Sequence, residues 1–433
     1  MLRNRCITFL IILLLFSGIV AQTPSSKTER LPQLIATALK QNPQLKGYER
    51  MTKASEADVS EAGTLPDPTM DINVVNLPWN NPVFDREAMS GKQIRFAQKF
   101  PFPGKLRLRE NIAAKQADIA RAQYLEFKNR LIREVKIAYY DLYYVDQALH
   151  TTRKNRELLK EFVHIATAKY AVGKGLQQDV LKAQVELARQ NDRLLILQQK
   201  RKVIKARLNR LLNRNGKAPV GTATVPDIQI LHRLIAYVNN VSFSQRPLLQ
   251  AWQQRLEQSK ERLQLAQKSY WPDFTVSLAY TQRDVLIGGK GGTDFISLGL
   301  HFNLPVYARA KQSMQVRASI LRKQFNEQNL KNVQNQISEA LNNAISALKK
   351  NLDQENLYRF SIIPQAKQAL ESARAGYQND KVDFLTLLNN EITLFKIELS
   401  YRRIVSEAFK SLAEVEYIIG HPVKVTTQVT EEN

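Results

Sequence analysis

The chain has 433 residues, of which 63 are Lys or Arg and 40 are Asp or Glu, so its formal net charge is +23. A single cysteine excludes a fold that depends on intramolecular disulfides. The charge by itself would suggest nucleic-acid binding, but basic residues are spread along nearly every predicted helix. The densest basic run, 200–217, lies at a predicted helix end, where cations interact favourably with the last carbonyls. Contact of this run with a polyanion or an anionic lipid is the alternative.

The first 21 residues have the layout of a secretory signal. Arg3 and Arg5 precede an apolar run at residues 7–16, and small residues end at Ala21. Cys6 lies in the charged start of this segment, whereas a lipoprotein signal would place its cysteine at the cleavage point. No later stretch approaches the roughly 18 uninterrupted apolar residues of a membrane-spanning helix. We therefore expect an exported protein without a lipid anchor, a transmembrane helix or a disulfide.

Helical periodicity dominates the rest of the sequence. The helical blocks cover residues 29–63, 105–170, 176–213, 227–268, 308–377 and 382–419. Mostly apolar residues recur at alternating steps of four and three from Leu131 to Leu149 and from Val180 to Leu211, where Gln190 and Arg201 are the polar members; this spacing is typical of a narrow coiled-coil seam. At about 1.5 Å per residue, the second block predicts a helix roughly 100 Å long. The Asn- and Gln-rich segment 324–356 predicts a helix with water on at least one side.

Four segments alternate apolar and polar residues with the period of a β-strand. They lie near residues 68–76, 92–100, 273–282 and 293–304. They form two pairs, joined by turn-rich loops at residues 77–91 and 283–292. The second loop contains GGKGGT, which lacks the spacing of a phosphate-binding loop and joins two strands. We therefore predict two β-hairpins with surface loops.

Each hairpin leads into a long helix through proline. KFPFPGKLRLRE at 99–110 contains Pro101, Pro103 and Gly104, and FNLPVYARAKQ at 302–312 contains Pro305. Proline lacks the N–H that a strand ladder requires, and glycine permits a turn that few other residues adopt. Strand pairing is predicted to stop at both junctions, which need not bend alike because the second has no glycine.

The two halves of the chain align at an offset of about 205 residues. LPDPTM at 65–70 matches YWPDFTV at 270–276, Pro101 matches Pro305, and Tyr170 matches Tyr377. We therefore predict an internal duplication of helix, strand hairpin, long helix, turn and helix. The predicted division is a signal peptide at 1–21, a first repeat at 22–215, a linker at 216–226, a second repeat at 227–421 and a tail at 422–433. The helical hairpin of the first repeat is predicted at 104–213, and that of the second repeat at 308–420.

The expected fold class is mainly α with a transmembrane β-barrel portion. A closed transmembrane barrel needs at least about eight strands. Four strands leave open edges, so several chains must contribute strands to one barrel, and helices with narrow seams need packing from other subunits as well. The sequence thus predicts a barrel continued by a helical tube. The strand residues expected to face lipid are Ile296, Leu298, Leu300 and Phe302.

With these features in this order, the sequence resembles the TolC-type outer-membrane efflux proteins. The resemblance spans the mature chain and rests on the signal peptide, the duplication, the strand pairs, the FPFPGK junction and the turns YAVGKGLQQDVLKAQ (170–184) and YQNDKVDFLTLLNNE (377–391). It implies a homotrimer with a 12-stranded barrel in the outer membrane and a periplasmic α-barrel. It further implies a passive channel, the exit duct of a tripartite efflux or secretion system, coupled to an inner-membrane pump through a periplasmic adaptor.

The resemblance also implies that the two turns lie at the periplasmic tip. The first keeps a Tyr-x-x-Gly pattern at Tyr170 and Gly173, and the second keeps Tyr377 but has Asp380 where glycine is usual. The residues implied in tip or adaptor contact are Tyr170, Gly173, Lys174, Asp179, Tyr377 and Lys381. Packing of the two helix ends is the alternative for the tyrosines, and ending a helix is the alternative for Gly173.

The entrance of the channel is implied to lie just beyond the second turn. Some family members narrow it with aspartates one turn into the following helix, where this sequence has Thr386 and Asn389. Asp380 and Asp383 are nearby acids that either form an acidic entrance ring or cap the helix that starts near Val382. The candidate entrance residues are Asp380, Asp383, Thr386 and Asn389.

No motif for catalysis, a cofactor or a metal is recognisable in the sequence. The five histidines are scattered, and zinc-site spacings, nucleophile elbows, Walker motifs and dinucleotide fingerprints are missing. We expect no enzyme, no cofactor, no metal site and no nucleic-acid partner, and the motifs name neither the pump class nor the cargo. A secreted basic coiled-coil scaffold or polyanion-binding protein is the rival hypothesis, but it leaves the symmetric strand segments unexplained.

Overall fold

The computed structural model describes residues 28–238 and 241–423. The predicted signal peptide and most of the predicted tail lie outside these ranges. The helices are α1 (Leu31–Gln41), α2 (Pro43–Gly63), α3 (Lys105–Ala171), α4 (Gln177–Leu211), α5 (Gln229–Val238), α6 (Pro247–Lys268), α7 (Gln312–Leu357), α8 (Ile363–Gln378) and α9 (Phe384–Ile419). The strands are β1 (Thr28–Glu29), β2 (Thr69–Val75), β3 (Gly91–Phe100), β4 (Thr222–Ala223), β5 (Phe274–Gln282) and β6 (Phe295–Phe302).

The four predicted strands form one antiparallel sheet in the order β2–β3–β5–β6. Both predicted hairpins are present. In addition, β3 pairs with β5, from Lys92 opposite Gln282 to Phe100 opposite Phe274. This central pairing joins the two halves of the chain. Within the described ranges, the outer edges of β2 and β6 have no partner strand.

The sheet has one apolar face and one polar face. Met70, Phe96, Leu278 and Leu298 lie opposite one another in a row across the four strands. Their side chains are exposed, and that of Leu298 is 79% exposed. The other face carries small and polar rows, for example Asp71, Arg95, Ala279 and Ser297. Such alternation of an outward apolar face with an inward polar face is typical of outer-membrane strands.

The helix α3 is the longest element, with 67 residues and a length of about 100 Å at 1.5 Å per residue. The predicted seam from Leu131 to Leu149 is buried, against α4 and α9 among others. Burial of a leucine of this kind contributes about 1.5–3 kcal/mol. On α4, however, Leu195, Ile196 and Val203 remain exposed, so this single chain leaves part of its helical apolar surface uncovered.

No helix within the described ranges combines the length and apolar character needed to cross a bilayer.

Three predicted helical blocks are interrupted in the structure, each near a proline. The first block divides at Asn42, whose side chain accepts a hydrogen bond from the Leu45 amide at 3.1 Å to cap α2. The fourth block was wrongly predicted to be continuous, because a non-helical connection at 241–246 precedes Pro247. In the fifth, a π-helical segment (Tyr358–Ile362) joins α7 to α8 just before Pro364, whose ring cannot follow a regular α-helical turn.

The predicted linker at 216–226 is packed against the helices. Its strand β4 pairs in parallel with β1, and Ala223 is only 2% exposed. The Tyr139 hydroxyl donates a hydrogen bond to the carbonyl oxygen of Thr224 at 2.7 Å and accepts one from the Thr224 amide at 3.0 Å. The connection between the two halves is therefore fastened to the middle of α3.

Candidate functional site

Asp273, the residue before β5, is the centre of the first strand-to-helix junction. Its Oδ1 accepts hydrogen bonds from Lys105 Nζ at 2.7 Å and from the Phe102 amide at 2.9 Å. The Lys105 ammonium also donates to the carbonyl of Trp271 at 2.8 Å, and the Lys105 side chain is only 8% exposed. This cluster, which we call the junction clamp, fastens the start of α3 to the start of β5.

The junction clamp keeps Asp273 ionised. Burial by itself would raise the pKa of the Asp273 carboxyl, but the hydrogen bonds from Lys105 and from the Phe102 amide outweigh burial and lower that pKa. Neither Asp273 nor Lys105 was among the predicted site residues. The available signal was the repeated Pro-Asp pair, which places Asp67 and Asp273 at matching positions of the two halves.

The proline-containing stretches differ between the two junctions. Gly104 has a φ of +85° directly before α3, a left-handed conformation that favours glycine. Pro101 follows the last residue of β3, and the carbonyl of Pro103 accepts a hydrogen bond from Lys268 Nζ at 3.0 Å. After Pro305, by contrast, turns at 306–311 precede α7. The second chain transition is therefore longer and has no left-handed residue.

Aromatic rings form a band at the end of the sheet next to the helices. Phe274 packs between Phe100 and Phe302, with ring centroids 5.3 Å and 6.4 Å apart. Phe102 stacks on Trp271 at 5.1 Å. Aromatic residues of this kind are enriched where outer-membrane strands leave the bilayer. The band thus marks one boundary of the apolar face.

The first predicted tip turn ends α3 in a left-handed residue. Gly173 has a φ of +72°, and its amide donates to the carbonyl of Tyr170 at 3.0 Å. The Lys174 amide then donates to the carbonyl of Lys169 at 2.9 Å. These two bonds satisfy carbonyls at the helix end in the pattern of a Schellman motif. The Tyr170 side chain is exposed, as is that of Lys174.

The second tip turn repeats this geometry without glycine. Asp380 has a φ of +55°, and its amide donates to the carbonyl of Tyr377 at 3.2 Å. The Lys381 amide donates to the carbonyl of Gly376 at 2.8 Å. Asp380 therefore occupies the left-handed position that Gly173 has in the first turn, which Asp tolerates better than most residues with a side chain.

One ion pair joins the two tip turns. Lys169 Nζ, at the end of α3, lies 2.8 Å from Oδ1 of Asp380 and 4.2 Å from the ring centroid of Tyr377. The hydrogen bond from Lys169 lowers the pKa of the Asp380 carboxyl. Tyr377 also packs edge-on against Phe384, with ring centroids 5.9 Å apart. The Asp380 carboxylate thus connects the first helical hairpin to the second.

The remaining predicted tip residues lie at helix starts. Asp383 is the N-cap of α9, because its carboxylate accepts a hydrogen bond from the Thr386 amide at 2.7 Å. Asp383, Thr386 and Asn389 are exposed and share one face of the first turns of α9. Asp179 lies in the first turn of α4, and Lys381 is exposed.

A cavity of about 690 Å³ lies above the tip turns, between α3, α8 and α9. Within its lining, Asn155 Nδ2 donates to Glu391 Oε1 at 2.9 Å, and both side chains are buried. Burial raises the pKa of the Glu391 carboxyl. The partner of Glu391 on α3 is 236 residues away along the chain, so the sequence could not show this contact.

A second buried acid lies beside the π-helical segment. Glu355 is completely buried and accepts a hydrogen bond from the Tyr401 hydroxyl at 3.0 Å, while His232 Nε2 lies 3.2 Å from its other oxygen. Burial is the largest cause that raises the pKa of Tyr401 to about 12, and this hydrogen bond is the next largest. Across the described residues, no group of three or more His, Cys, Asp or Glu side chains could hold a metal ion.

Part of the chain matches a known protein family. Residues 34–214, which contain the first hairpin and the first pair of long helices, match the family model described as outer membrane efflux protein. Over 323 residues the chain is 20% identical to the cobalt-zinc-cadmium resistance protein CzcC of Cupriavidus metallidurans, covering 73% of this chain and 74% of that protein. The first half of the chain thus resembles the outer membrane efflux protein family.

Solved structures of outer-membrane proteins share the fold of this chain over most of its length. VceC of Vibrio cholerae superposes with a TM-score of 0.75 at 19% identity, covering 91% of this chain and 97% of that chain. The open state of the MtrE outer membrane channel of Neisseria gonorrhoeae superposes with a TM-score of 0.74 at 16% identity, covering 91% of this chain and 90% of that chain. The predicted fold class is confirmed, because the chain is mainly helical with a four-stranded sheet and shares its fold with these outer-membrane proteins.

Proposed function

We propose that this protein is a passive outer-membrane channel and the exit duct of a tripartite efflux or secretion system. One observation carries the proposal: a four-stranded sheet with a continuous exposed apolar face stands at one end of helices about 100 Å long. An apolar face of this kind is stable in lipid, and helices of this length bridge a wide aqueous space. The family match supports the same function.

The proposed assembly is a homotrimer in which each subunit supplies four strands to a 12-stranded barrel. The open edges of β2 and β6 support this assembly, because unsatisfied strand edges do not occur in the hydrocarbon region of a membrane. The exposed Leu195, Ile196 and Val203 of α4 support a second contact between subunits along the helical tube.

The proposed location is the outer membrane, with the helical hairpins extending into the periplasm. At their tip, the exposed Tyr170, Lys174 and Lys381 are proposed to contact a periplasmic adaptor protein, which connects the channel to an inner-membrane pump. We assign no catalytic activity, cofactor or nucleic-acid partner to the protein. The rival basic scaffold would leave the apolar face of the sheet in water, which disfavours it.

Reconstitution into planar bilayers tests the channel directly. The full-length protein, expressed with its signal, is expected in the outer-membrane fraction as a trimer. Purified trimers are expected to produce discrete conductance steps because the proposed barrel encloses a continuous water path. A soluble periplasmic protein that gives no conductance would contradict the proposal.

The Lys169–Asp380 ion pair is proposed to hold the tip closed. Asp380→Asn and Asp380→Gly both suit the left-handed turn but remove the carboxylate that connects the two hairpins. Both variants are expected to raise the open probability in bilayers and the leak of a large antibiotic into cells.

The matched control for this tip prediction is Lys381→Ala. Lys381 neighbours Asp380 in the same turn, and no ion pair involves it within the described ranges. The open probability of Lys381→Ala in bilayers, where no adaptor is present, should equal that of the unmodified channel. If the Asp380 variants and the control conduct alike, the ion pair does not keep the tip closed.

A further inference from the structure

The internal duplication extends to the strand register. Asp67 matches Asp273 at an offset of 206 residues, and Pro101 matches Pro305 at an offset of 204. Adding 206 to each residue number in β2 and 204 to each in β3 converts the residue pairs of β2 and β3 into the residue pairs of β5 and β6. Thr69 opposite Ala97, for example, becomes Thr275 opposite His301, which is the register that the sheet has.

The central pairing of β3 with β5 has no copy inside one chain. The same two offsets convert Gln93 opposite Thr281 into Ser297 opposite Val75. Ser297 and Val75 lie on the two outer strands of the sheet, which are not paired with each other in the described chain. The copy of the central pairing therefore requires β6 of one chain and β2 of a second copy of this chain.

The junction clamp has an incomplete copy at the same two edges. The offsets convert Asp273 into Asp67 and Lys105 into Arg309. Lys105 is buried and Asp273 is mostly covered in their ion pair, whereas Asp67 and Arg309 are exposed and form no ion pair within the described ranges. An acid at one edge and a base at the other are complementary charges for a contact between two copies.

We propose that β6 of one subunit pairs antiparallel with β2 of the next subunit so that Ser297 lies opposite Val75, and that Arg309 forms an ion pair with Asp67 of the next subunit. This inference rests on the proposed homotrimeric channel. The register places Leu298 opposite Val74 and Leu300 opposite Ile72, so the apolar face continues across the interface. A register shift of one residue between β6 and β2 would place apolar residues of one strand opposite polar residues of the other. A shift of two residues would separate Asp67 from Arg309.

Disulfide cross-linking tests the register. The only native cysteine, Cys6, lies in the predicted signal peptide, so introduced cysteines stand alone in the mature chain. Ser297→Cys with Val75→Cys is expected to form covalent trimers on oxidation, because the side chains of the parent pair, Gln93 and Thr281, approach to 3.1 Å. Ser297→Cys with Asn73→Cys, which would report a slip of two residues, is expected to give little cross-link.

Charge reversal tests the ion pair in the same trimers. Asp67→Arg and Arg309→Asp are each expected to lower the temperature at which trimers dissociate in detergent, and the double variant should recover it. The control combines Asp67→Arg with Lys311→Asp, two residues beyond Arg309, and should not recover. Failure of the double variant to recover, or recovery by the Lys311 control, would overturn the Arg309 contact.

The cross-linking outcomes separate the register from the assembly itself. Cross-linking through Asn73 instead of Val75, or a stable trimer without the Val75 cross-link, would overturn the register while leaving the channel proposal in place. A monomeric protein that forms neither cross-link would overturn both proposals.

Discussion

Replacing Asp273 by Ala is expected to destabilise the fold by about 3–5 kcal/mol, because it leaves the ammonium of Lys105 buried without its partner. Urea unfolding of the detergent-solubilised protein measures this change. The double variant Asp273→Leu, Lys105→Met should recover most of the loss, since removing both charges leaves no unpaired ion. Equal stability of Asp273→Ala and the unmodified protein would show that the junction clamp contributes nothing.

The junction clamp also predicts a dependence of stability on pH. The folded-state pKa of Asp273 lies below its usual value of 3.8, so its contribution to stability is present above that value and is lost as the pH falls through the lower folded-state pKa. The difference in stability between the unmodified protein and Asp273→Ala should therefore shrink under strongly acidic conditions and remain constant from pH 5 to pH 7. A difference that persists unchanged in strong acid would contradict the ion pair.

Leu298→Arg is expected to prevent or greatly slow insertion of the sheet into lipid vesicles. An arginine on the lipid face costs about 2–4 kcal/mol at the bilayer midplane, and Leu298 lies within β6 and is 79% exposed. Heat-modifiable migration in gels, measured after mixing with vesicles, reports insertion. The matched control, Ser297→Arg, changes the neighbouring residue on the polar face and should insert normally. Equal insertion of the two variants would contradict the assignment of the faces.

Local patterns predicted the secondary structure well where one period extends over many residues. The strand segments were correct to within about two residues, and the seam residues of α3 are buried as their spacing indicated. The break at Pro247 was missed, although the proline was visible, because helical spacing on both sides concealed it. The π-helical segment before Pro364 was missed for the same reason.

The candidate site could be predicted only in part. Chain order showed which turns and junctions repeat, and Asp380 was recognised as standing where glycine is usual. Its left-handed conformation and its ion pair with Lys169 depend on a residue 211 positions away. The roles assigned to Tyr170, Lys174 and the exposed face of Asp383 remain predictions that the experiments above address.

The sequence by itself predicted the export signal, the duplication, the alternating faces of the strands and the length of the helices, since each depends on periodicity or chain order. Only the tertiary structure decided that β3 pairs with β5, that Asp273 neutralises Lys105, and that Asp380 holds Lys169. Each of these contacts joins residues more than 150 positions apart. Which distant charges meet depends on how the two repeats pack together, because no local period records the partner of a side chain.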